Sequence, residues 1–195
     1  MASDAELINW SLAGDGDAFV EVVRRHAAAV SAYLVRRIGR GAAEDLLADV
    51  WVAALVSRVS YDRSFEEARP WLFGIARNTL RAYWRSTPRE ELMSEMAEIP
   101  FVLSPWSELD ERIDADAIVA ARRESLRRAL VDLATNERDV LLLVAWEQLS
   151  VADAARALDI PADAARYRLH RARLALRAIP DLVEIFTAIN EIKET

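Results

Sequence analysis

The periodicity of apolar residues constrains the fold of this chain more than any other feature. Apolar side chains recur three and four residues apart over long stretches, and no stretch shows the sustained two-residue alternation of a half-buried strand. With five Gly and six Pro in 195 residues, the chain also has little of the turn chemistry that a many-stranded sheet requires. The sequence therefore predicts an all-α fold.

An acidic segment divides the chain. Residues 88–121 contain three prolines and carry a net charge of −7, which equals the formal net charge of the whole chain. Residues 1–87 are neutral, residues 122–177 carry +3 and residues 178–195 carry −3. A charged segment interrupted by prolines is typical of a linker. We therefore predict two small helical domains, 1–87 and 122–177, joined by an acidic linker and followed by a tail apolar enough to form a further helix.

Composition excludes several classes of function. The absence of cysteine excludes disulfides, thiolate metal sites and a cysteine nucleophile, and two histidines are too few for a histidine-based metal site. We find no phosphate-binding loop or nucleophile–base pair, so we expect neither an enzyme nor a cofactor. The acidic N-terminus does not resemble a signal peptide, and no apolar run approaches the roughly 20 residues that cross a bilayer. We expect a cytoplasmic protein without membrane insertion.

The same periodicity predicts individual helices. One begins near residue 7, and the others span 18–38, 43–57, 69–86, 117–133, 137–146, 151–158 and 161–177. We expect a turn at Gly39-Arg40-Gly41, and Ser150 and Thr135 as N-caps because a hydroxyl accepts a hydrogen bond from the first helical turn. Within 43–57, one apolar line contains Leu47, Trp51 and Leu55, with Leu46 and Val50 beside it.

The stretch from Ser150 to Arg173 has the pattern of a helix-turn-helix. The small Ala155 permits close approach of two helices, and apolar residues such as Leu158 and Leu169 fill the corner between them. Arginines cover the exposed side of the second helix, where guanidinium groups suit bases and phosphates of the major groove. A solvated arginine face on an ordinary helical hairpin is the alternative. The short preceding helix and the apolar corner favour DNA binding.

A second basic helix is predicted over residues 69–86. Arg77, Arg81 and Trp84 recur at i, i+4 and i+7, and Asn78 and Arg85 flank them. Cations interleaved with an aromatic side chain suit phosphate attraction and base stacking on a separated strand. For the tryptophans of this helix, packing against the core is an equally simple interpretation.

These two regions resemble known domains. Residues 133–177, with Arg138-Asp-Val-Leu-Leu-Leu-Val and the later Arg-Leu-His-Arg-Ala-Arg, resemble region four of extracytoplasmic-function sigma factors. Residues 14–86, which begin Gly14-Asp-Gly-Asp-Ala-Phe-Val-Glu-Val-Val-Arg-Arg-His, resemble region two of the same family. The resemblance implies a bacterial transcription initiation factor that binds core RNA polymerase and directs it to specific promoters.

The resemblance also implies roles for particular residues. Region four reads the minus-thirty-five element as duplex DNA, which implies contacts from Arg166, Tyr167, His170 and Arg171, with Arg168 and Arg173 at phosphates or in packing. Region two captures the melted minus-ten element, which implies a set on the second basic helix and its preceding loop: Ser64, Phe65, Trp71, Arg77, Asn78, Arg81, Trp84 and Arg85. A third set, Asp45, Asp49 and Trp51, would dock on the clamp helices of the largest polymerase subunit. The polymerase flap, promoter DNA and an anti-sigma factor are the further implied partners.

Some positions depart from the family's pattern. Asp159 stands where glycine is usual, although Asp tolerates the left-handed conformation better than most residues. Asp163-Ala164-Ala165 replaces the usual Gly-Thr-Val, and Tyr167 replaces a small residue. Two other functions therefore stay compatible with the sequence: a stand-alone helix-turn-helix regulator, and a sigma-like interaction protein without promoter recognition.

Overall fold

The computed structural model of the chain describes residues 1–87, 125–126 and 128–179. The chain divides into two compact units, Met1–Pro100 and Phe101–Thr195. All regular structure in the described residues is helical, which confirms the predicted all-α fold. The predicted linker and nearly all of the predicted tail lie outside the described residues, so the proposed domain boundaries stay predictions. No helix in the described part of the chain is both long and apolar enough to span a membrane.

Residues 1–87 of the first unit contain three α-helices: α1 (Asp4–Leu12), α2 (Gly16–Ser57) and α3 (Arg69–Ser86). A capping box starts α1, because the Ser3 hydroxyl accepts from the Glu6 N–H at 3.2 Å while the Glu6 carboxylate accepts from the Ser3 N–H at 2.7 Å. A short 3-10 segment, Arg58–Ser60, follows α2. The core of the unit lies between these helices, with the buried rings of Tyr33 and Phe73 5.2 Å apart at their centroids.

Helix α2 is interrupted at Gly39. This residue has φ 77° and ψ 176°, a conformation that glycine enters freely because it lacks a Cβ atom. The helix resumes at Arg40. The predicted break is therefore present, but it is a kink at one residue and not the expected turn of three.

The second half of α2 buries one side of its broad apolar surface. Ala43, Leu46, Val50 and Ala54 are buried. Leu46 and Val50 were named beside the apolar line, whereas on the line itself Leu47 and Trp51 are half-buried and Leu55 is 42% exposed. Apolar residues occupy several sides of this segment, so its periodicity alone does not select the side against which the neighbouring helices pack.

The second unit contains α4 (Thr135–Ala145), α5 (Val151–Ala157) and α6 (Ala162–Arg177), and residues 128–132 before them are also helical. Ser150 caps α5 as predicted, since its hydroxyl accepts from the Asp153 N–H at 3.0 Å. The predicted cap at Thr135 is wrong: this residue is already helical, and the capping position is Ala134, which has no side-chain hydrogen bond to offer. Helix α6 buries one stripe, Ala165, Leu169, Ala172 and Leu176, which includes the Leu169 predicted to fill the corner.

The turn between α5 and α6 is a Schellman motif. Asp159 has φ 52°, which is the left-handed conformation expected at this position. Its N–H donates to the Arg156 carbonyl at 3.1 Å, and the Ile160 N–H donates to the Ala155 carbonyl at 3.0 Å. These bonds end α5 sharply and allow α6 to start after four residues.

Candidate functional site

Helix α6 presents an exposed face on the side opposite its buried stripe. Arg166, Tyr167, His170 and Arg171 are all exposed there, and we call these four residues the α6 face. Arg168 and Arg173 are only half-buried and lie closer to the core on either side. Burial, with the nearby charge of Arg177, lowers the pKa of Arg173, as expected for a cation whose chain packs against the helix surface.

Acidic residues pair with both arginines of the α6 face. Arg166 forms an ion pair with Asp163, one turn earlier on the same helix. The Nε atom of Arg171 lies 3.5 Å from an Oε1 atom of Glu137 on α4. Exposed ion pairs contribute about 0–1 kcal/mol, so DNA phosphates or base edges can replace these partners at little cost.

Helix α3 presents the second basic surface, on the first unit. Asn78, Arg81 and Arg85 are exposed on one side of α3, and we call these three residues the α3 face. Arg77 and Trp84 are half-buried along the edge of that face. Polar and cationic groups with an aromatic ring beside them are suited to phosphates and stacked bases of a single strand.

Trp71 lies at the start of α3 and contacts the loop that precedes it. Its ring meets the ring of Tyr61 edge-on, with centroids 5.1 Å apart. Trp71 is half-buried, whereas Tyr61 is buried. Packing against the loop therefore accounts for the buried part of the Trp71 ring, and the exposed part of the ring is accessible to a ligand.

The loop before α3, residues 61–68, carries Ser64 and Phe65 at its exposed tip. A turn holds the tip: the Phe65 N–H donates to the Asp62 carbonyl at 3.2 Å, and the Ser64 N–H donates to Oδ1 of Asp62 at 3.0 Å. The Tyr61 hydroxyl donates to the Phe65 carbonyl at 2.6 Å. Phe65 nevertheless remains 38% exposed, so an apolar ring is presented to solvent from an ordered turn.

The predicted docking residues lie on α2 after the kink. Asp45 and Asp49 are exposed, whereas Trp51 is half-buried. The same side of the helix continues with exposed aliphatic residues, of which Val52 and Val56 were not predicted: Val52 is 62% exposed, Leu55 42% and Val56 69%. We call Asp45, Asp49, Val52, Leu55 and Val56 the α2 face. The sequence signal for this face is the presence of apolar residues on several sides of one helix, beyond the single stripe that would face a core.

The α2 face combines charge with exposed apolar surface. Asp45, Asp49, Val52 and Val56 follow one another at i, i+4, i+7 and i+11, so they form one line along the helix. Exposing several large aliphatic side chains side by side to water is unfavourable. Such apolar patches are typical of protein interfaces. Within the residues that the structure describes, no group of acidic and histidine side chains is arranged to hold a metal ion.

Comparison with known proteins assigns both units. Sigma-70 region 2 matches residues 22–90, and sigma-70 region 4 matches residues 123–176. The RNA polymerase sigma factor CarQ of Myxococcus xanthus is 30% identical over 180 residues, which cover 90% of this chain and 96% of CarQ. The ECF RNA polymerase sigma factor SigW of Bacillus subtilis is 29% identical and covers 84% of this chain and 89% of its own. The solved structure of CnrH in complex with the cytosolic domain of CnrY matches 90% of this chain and 95% of that chain, at 28% identity with a TM-score of 0.61.

Proposed function

Because the chain belongs to the sigma-70 family of RNA polymerase sigma factors, in the extracytoplasmic-function group, we propose that it binds core RNA polymerase and directs it to specific promoters. It acts in the cytoplasm and performs no covalent chemistry itself. The observation that carries the proposal is the presence of one exposed basic helix face on each unit, α3 on the first and α6 on the second. A stand-alone regulator needs only the second of these faces.

The α6 face reads the minus-thirty-five element as duplex DNA. Its two arginines are exposed on a helix that fits the major groove, where Arg pairs bidentately with guanine. Tyr167 and His170 lie between them and contribute apolar contact and hydrogen bonding. Arg168 and Arg173 approach the phosphates or support the helix, as their half-buried positions suggest.

The α3 face and the loop at residues 61–68 capture the minus-ten element as a melted strand. Arg81 and Arg85 attract its phosphates, with Arg77 beside them, and Trp84 and Trp71 offer ring surface for stacking. The exposed Ser64 and Phe65 contact a base that has left the stack, together with Asn78. Unpairing a base costs a few kcal/mol, and these contacts offset that cost.

The α2 face docks on core polymerase. Asp45 and Asp49 meet the basic clamp helices of the largest subunit, and Val52, Leu55 and Val56 bury their exposed surface against them. Trp51, at the edge of the face, contributes a half-buried ring. Acids at one end of the face and aliphatic residues at the other offer the polar and the apolar contacts that a protein interface combines. The second unit contacts the polymerase flap.

An anti-sigma factor is the proposed regulatory partner. CnrH, a relative of this chain, has been solved in complex with the cytosolic domain of CnrY. We propose that such a partner competes with polymerase or promoter DNA for the surfaces of the two units.

Run-off transcription with purified core polymerase on genomic fragments tests the proposal. We expect promoter-dependent products from the wild-type chain and none from Asp45→Lys combined with Val52→Asp, because this pair reverses charge and removes apolar surface on the α2 face. Asp17→Lys is the matched control, since Asp17 is an exposed acid at the other end of α2. Absence of any promoter-dependent product from the wild-type chain at all salt concentrations would reject the proposal.

A further inference from the structure

The loop at residues 61–68 is held at both of its ends, while its tip is exposed. At the first end, buried Tyr61 packs on Trp71 and its hydroxyl donates to the Phe65 carbonyl. At the second end, the backbone N–H groups of Asp4 and Ala5 donate to the Glu66 carbonyl at 3.0 and 3.3 Å. The first turn of α1 therefore binds the loop directly, although some 60 residues separate the two in sequence.

The Asp4 carboxylate completes this attachment. Its Oδ2 atom accepts from the Ala68 N–H at 2.9 Å and lies 2.7 Å from Nε2 of His26. Its Oδ1 atom accepts from Nη1 of Arg25 at 3.0 Å. The side chain is only 7% exposed, so one buried carboxylate joins α1, α2 and the end of the loop.

The electrostatics of Asp4 agree with this geometry. Burial by itself would raise its pKa, but hydrogen bonds from His26, Ala68 and Arg25 outweigh burial, and the pKa of Asp4 is lowered. The carboxylate is therefore ionised and acts as a pure acceptor. The Arg25 side chain is only 17% exposed and also donates to the Ala2 carbonyl at 2.8 Å.

We infer that Asp4 is a positioning residue for strand capture: it fixes the end of the loop at Ala68 and so holds Ser64 and Phe65 in a preformed arrangement. The inference rests on the proposed role of this loop in binding the melted minus-ten strand. A preformed loop binds more tightly than a disordered one, because less conformational freedom is lost when the strand binds. Within the described residues, the hydrogen bonds of the Asp4 side chain reach Arg25, His26 and Ala68 and none reaches the α2 face, so we expect polymerase docking not to depend on Asp4.

The chain offers a matched control in Glu21. Its carboxylate also accepts from Arg25, at 2.9 Å, and from Arg24, at 2.7 Å. Glu21 therefore belongs to the same cluster of charges on α2, but no hydrogen bond connects it to the loop within the described residues. Removal of Glu21 changes the ion pairing of Arg25 and leaves the Asp4–Ala68 hydrogen bond in place.

The first experiment measures the loop itself. Amide hydrogen exchange is compared in the full chain for wild type, Asp4→Ala, Asp4→Asn and Glu21→Ala, with α3 amides as an internal standard. In Asp4→Ala we expect exchange at Phe65 and Ala68 to be at least about tenfold faster, because a buried hydrogen bond to a charged group is lost. Asp4→Asn, which keeps an acceptor oxygen, is expected to lie between wild type and Asp4→Ala, and Glu21→Ala to match wild type. Unchanged exchange at Ala68 in both Asp4 variants would overturn the inference.

The second experiment measures strand capture by the holoenzyme. Affinity for a minus-ten oligonucleotide with premelted strands should fall about tenfold in Asp4→Ala and remain unchanged in Glu21→Ala, while the affinity of both variants for core polymerase stays at the wild-type level. Equal losses of polymerase affinity and strand affinity would show a general structural role and overturn the inference. Faster exchange in the loop with unchanged strand affinity would also overturn the inference. In that case Asp4 would position the loop, but the loop would not contribute to strand binding. If the holoenzyme with the wild-type chain does not bind the strand at all, that result rejects the proposed function and not the role of Asp4.

Discussion

The α3 face and the α6 face are both basic and exposed, but their surroundings differ. Acids accompany the arginines of α6: Asp163 pairs with Arg166, and Glu137 lies beside Arg171. The α3 face has half-buried tryptophans near it and follows a loop that is fixed to α1. Its exposed residues are two arginines and an asparagine.

The difference fits the two kinds of ligand that we propose for these faces. Arginines held by weak acidic partners keep a defined direction and can exchange those partners for base edges of a rigid duplex. Cations next to aromatic rings and a fixed loop suit a separated strand, whose bases are free to stack. These surroundings support the proposal that the α6 face recognises duplex DNA and that the α3 face captures a separated strand.

The largest effect is expected on α6. Arg171→Ala should weaken binding to a minus-thirty-five duplex by about 10–100-fold, because a bidentate contact to a base contributes about 1–3 kcal/mol. Fluorescence anisotropy at constant salt measures this affinity. Arg24→Ala is the control, since Arg24 is an exposed, ion-paired arginine outside both basic faces. An equal loss of affinity in the control would mean that the effect is one of net charge alone.

The next effect is expected on α3. Arg81→Ala combined with Arg85→Ala should lower affinity for a premelted minus-ten strand by about tenfold and leave minus-thirty-five duplex binding unchanged. The slope of log affinity against log salt should fall by about 0.7 for each lost phosphate contact. A salt titration with both ligands checks this, and an unchanged slope would contradict the assignment of these arginines to phosphates.

Substitutions at the two left-handed backbone positions, Asp159 and Gly39, are expected to change the free energy of unfolding by smaller amounts and in opposite directions. Asp159→Gly should raise the free energy of unfolding of the second unit by about 0.5–1 kcal/mol, because Asp159 occupies the left-handed region at φ 52°. Gly39→Ala should lower that of the first unit by about 1 kcal/mol, since φ is 77°. A Cβ at Gly39 would meet no atom within 4 Å outside its chain neighbours and the nearby backbone of its own helix, so we attribute the change to backbone strain. Urea denaturation of each variant measures both changes, and equal signs would contradict this account.

The smallest effect concerns the acid beside Arg166. Asp163→Asn should strengthen minus-thirty-five duplex binding by about two- to threefold, because Arg166 no longer gives up an exposed ion pair that contributes less than about 1 kcal/mol. Anisotropy at low and high salt tests this, with a smaller gain expected at high salt. Weaker binding of the variant would mean that Asp163 itself contacts DNA.

Much of the second unit was predictable because its signals are local. The buried stripe of α6, the cap at Ser150 and the left-handed Asp159 each depend on residues within about one helical turn. The prediction for Thr135 was wrong because the helix already starts at this residue. Its hydroxyl therefore lies one residue after the capping position. The roles of the residues on all three faces stay predictions until the experiments above are done.

By itself the sequence determined the helical class, the interruption of α2 at Gly39 and the exposed basic sides of α3 and α6, because periodicity and glycine act over a few residues. Only the tertiary structure decided which side of the second half of α2 is buried, since apolar residues on several sides of a helix leave that choice to its neighbours. It alone also joined Asp4 to His26 and Ala68, because hydrogen bonds between residues far apart in sequence have no local pattern.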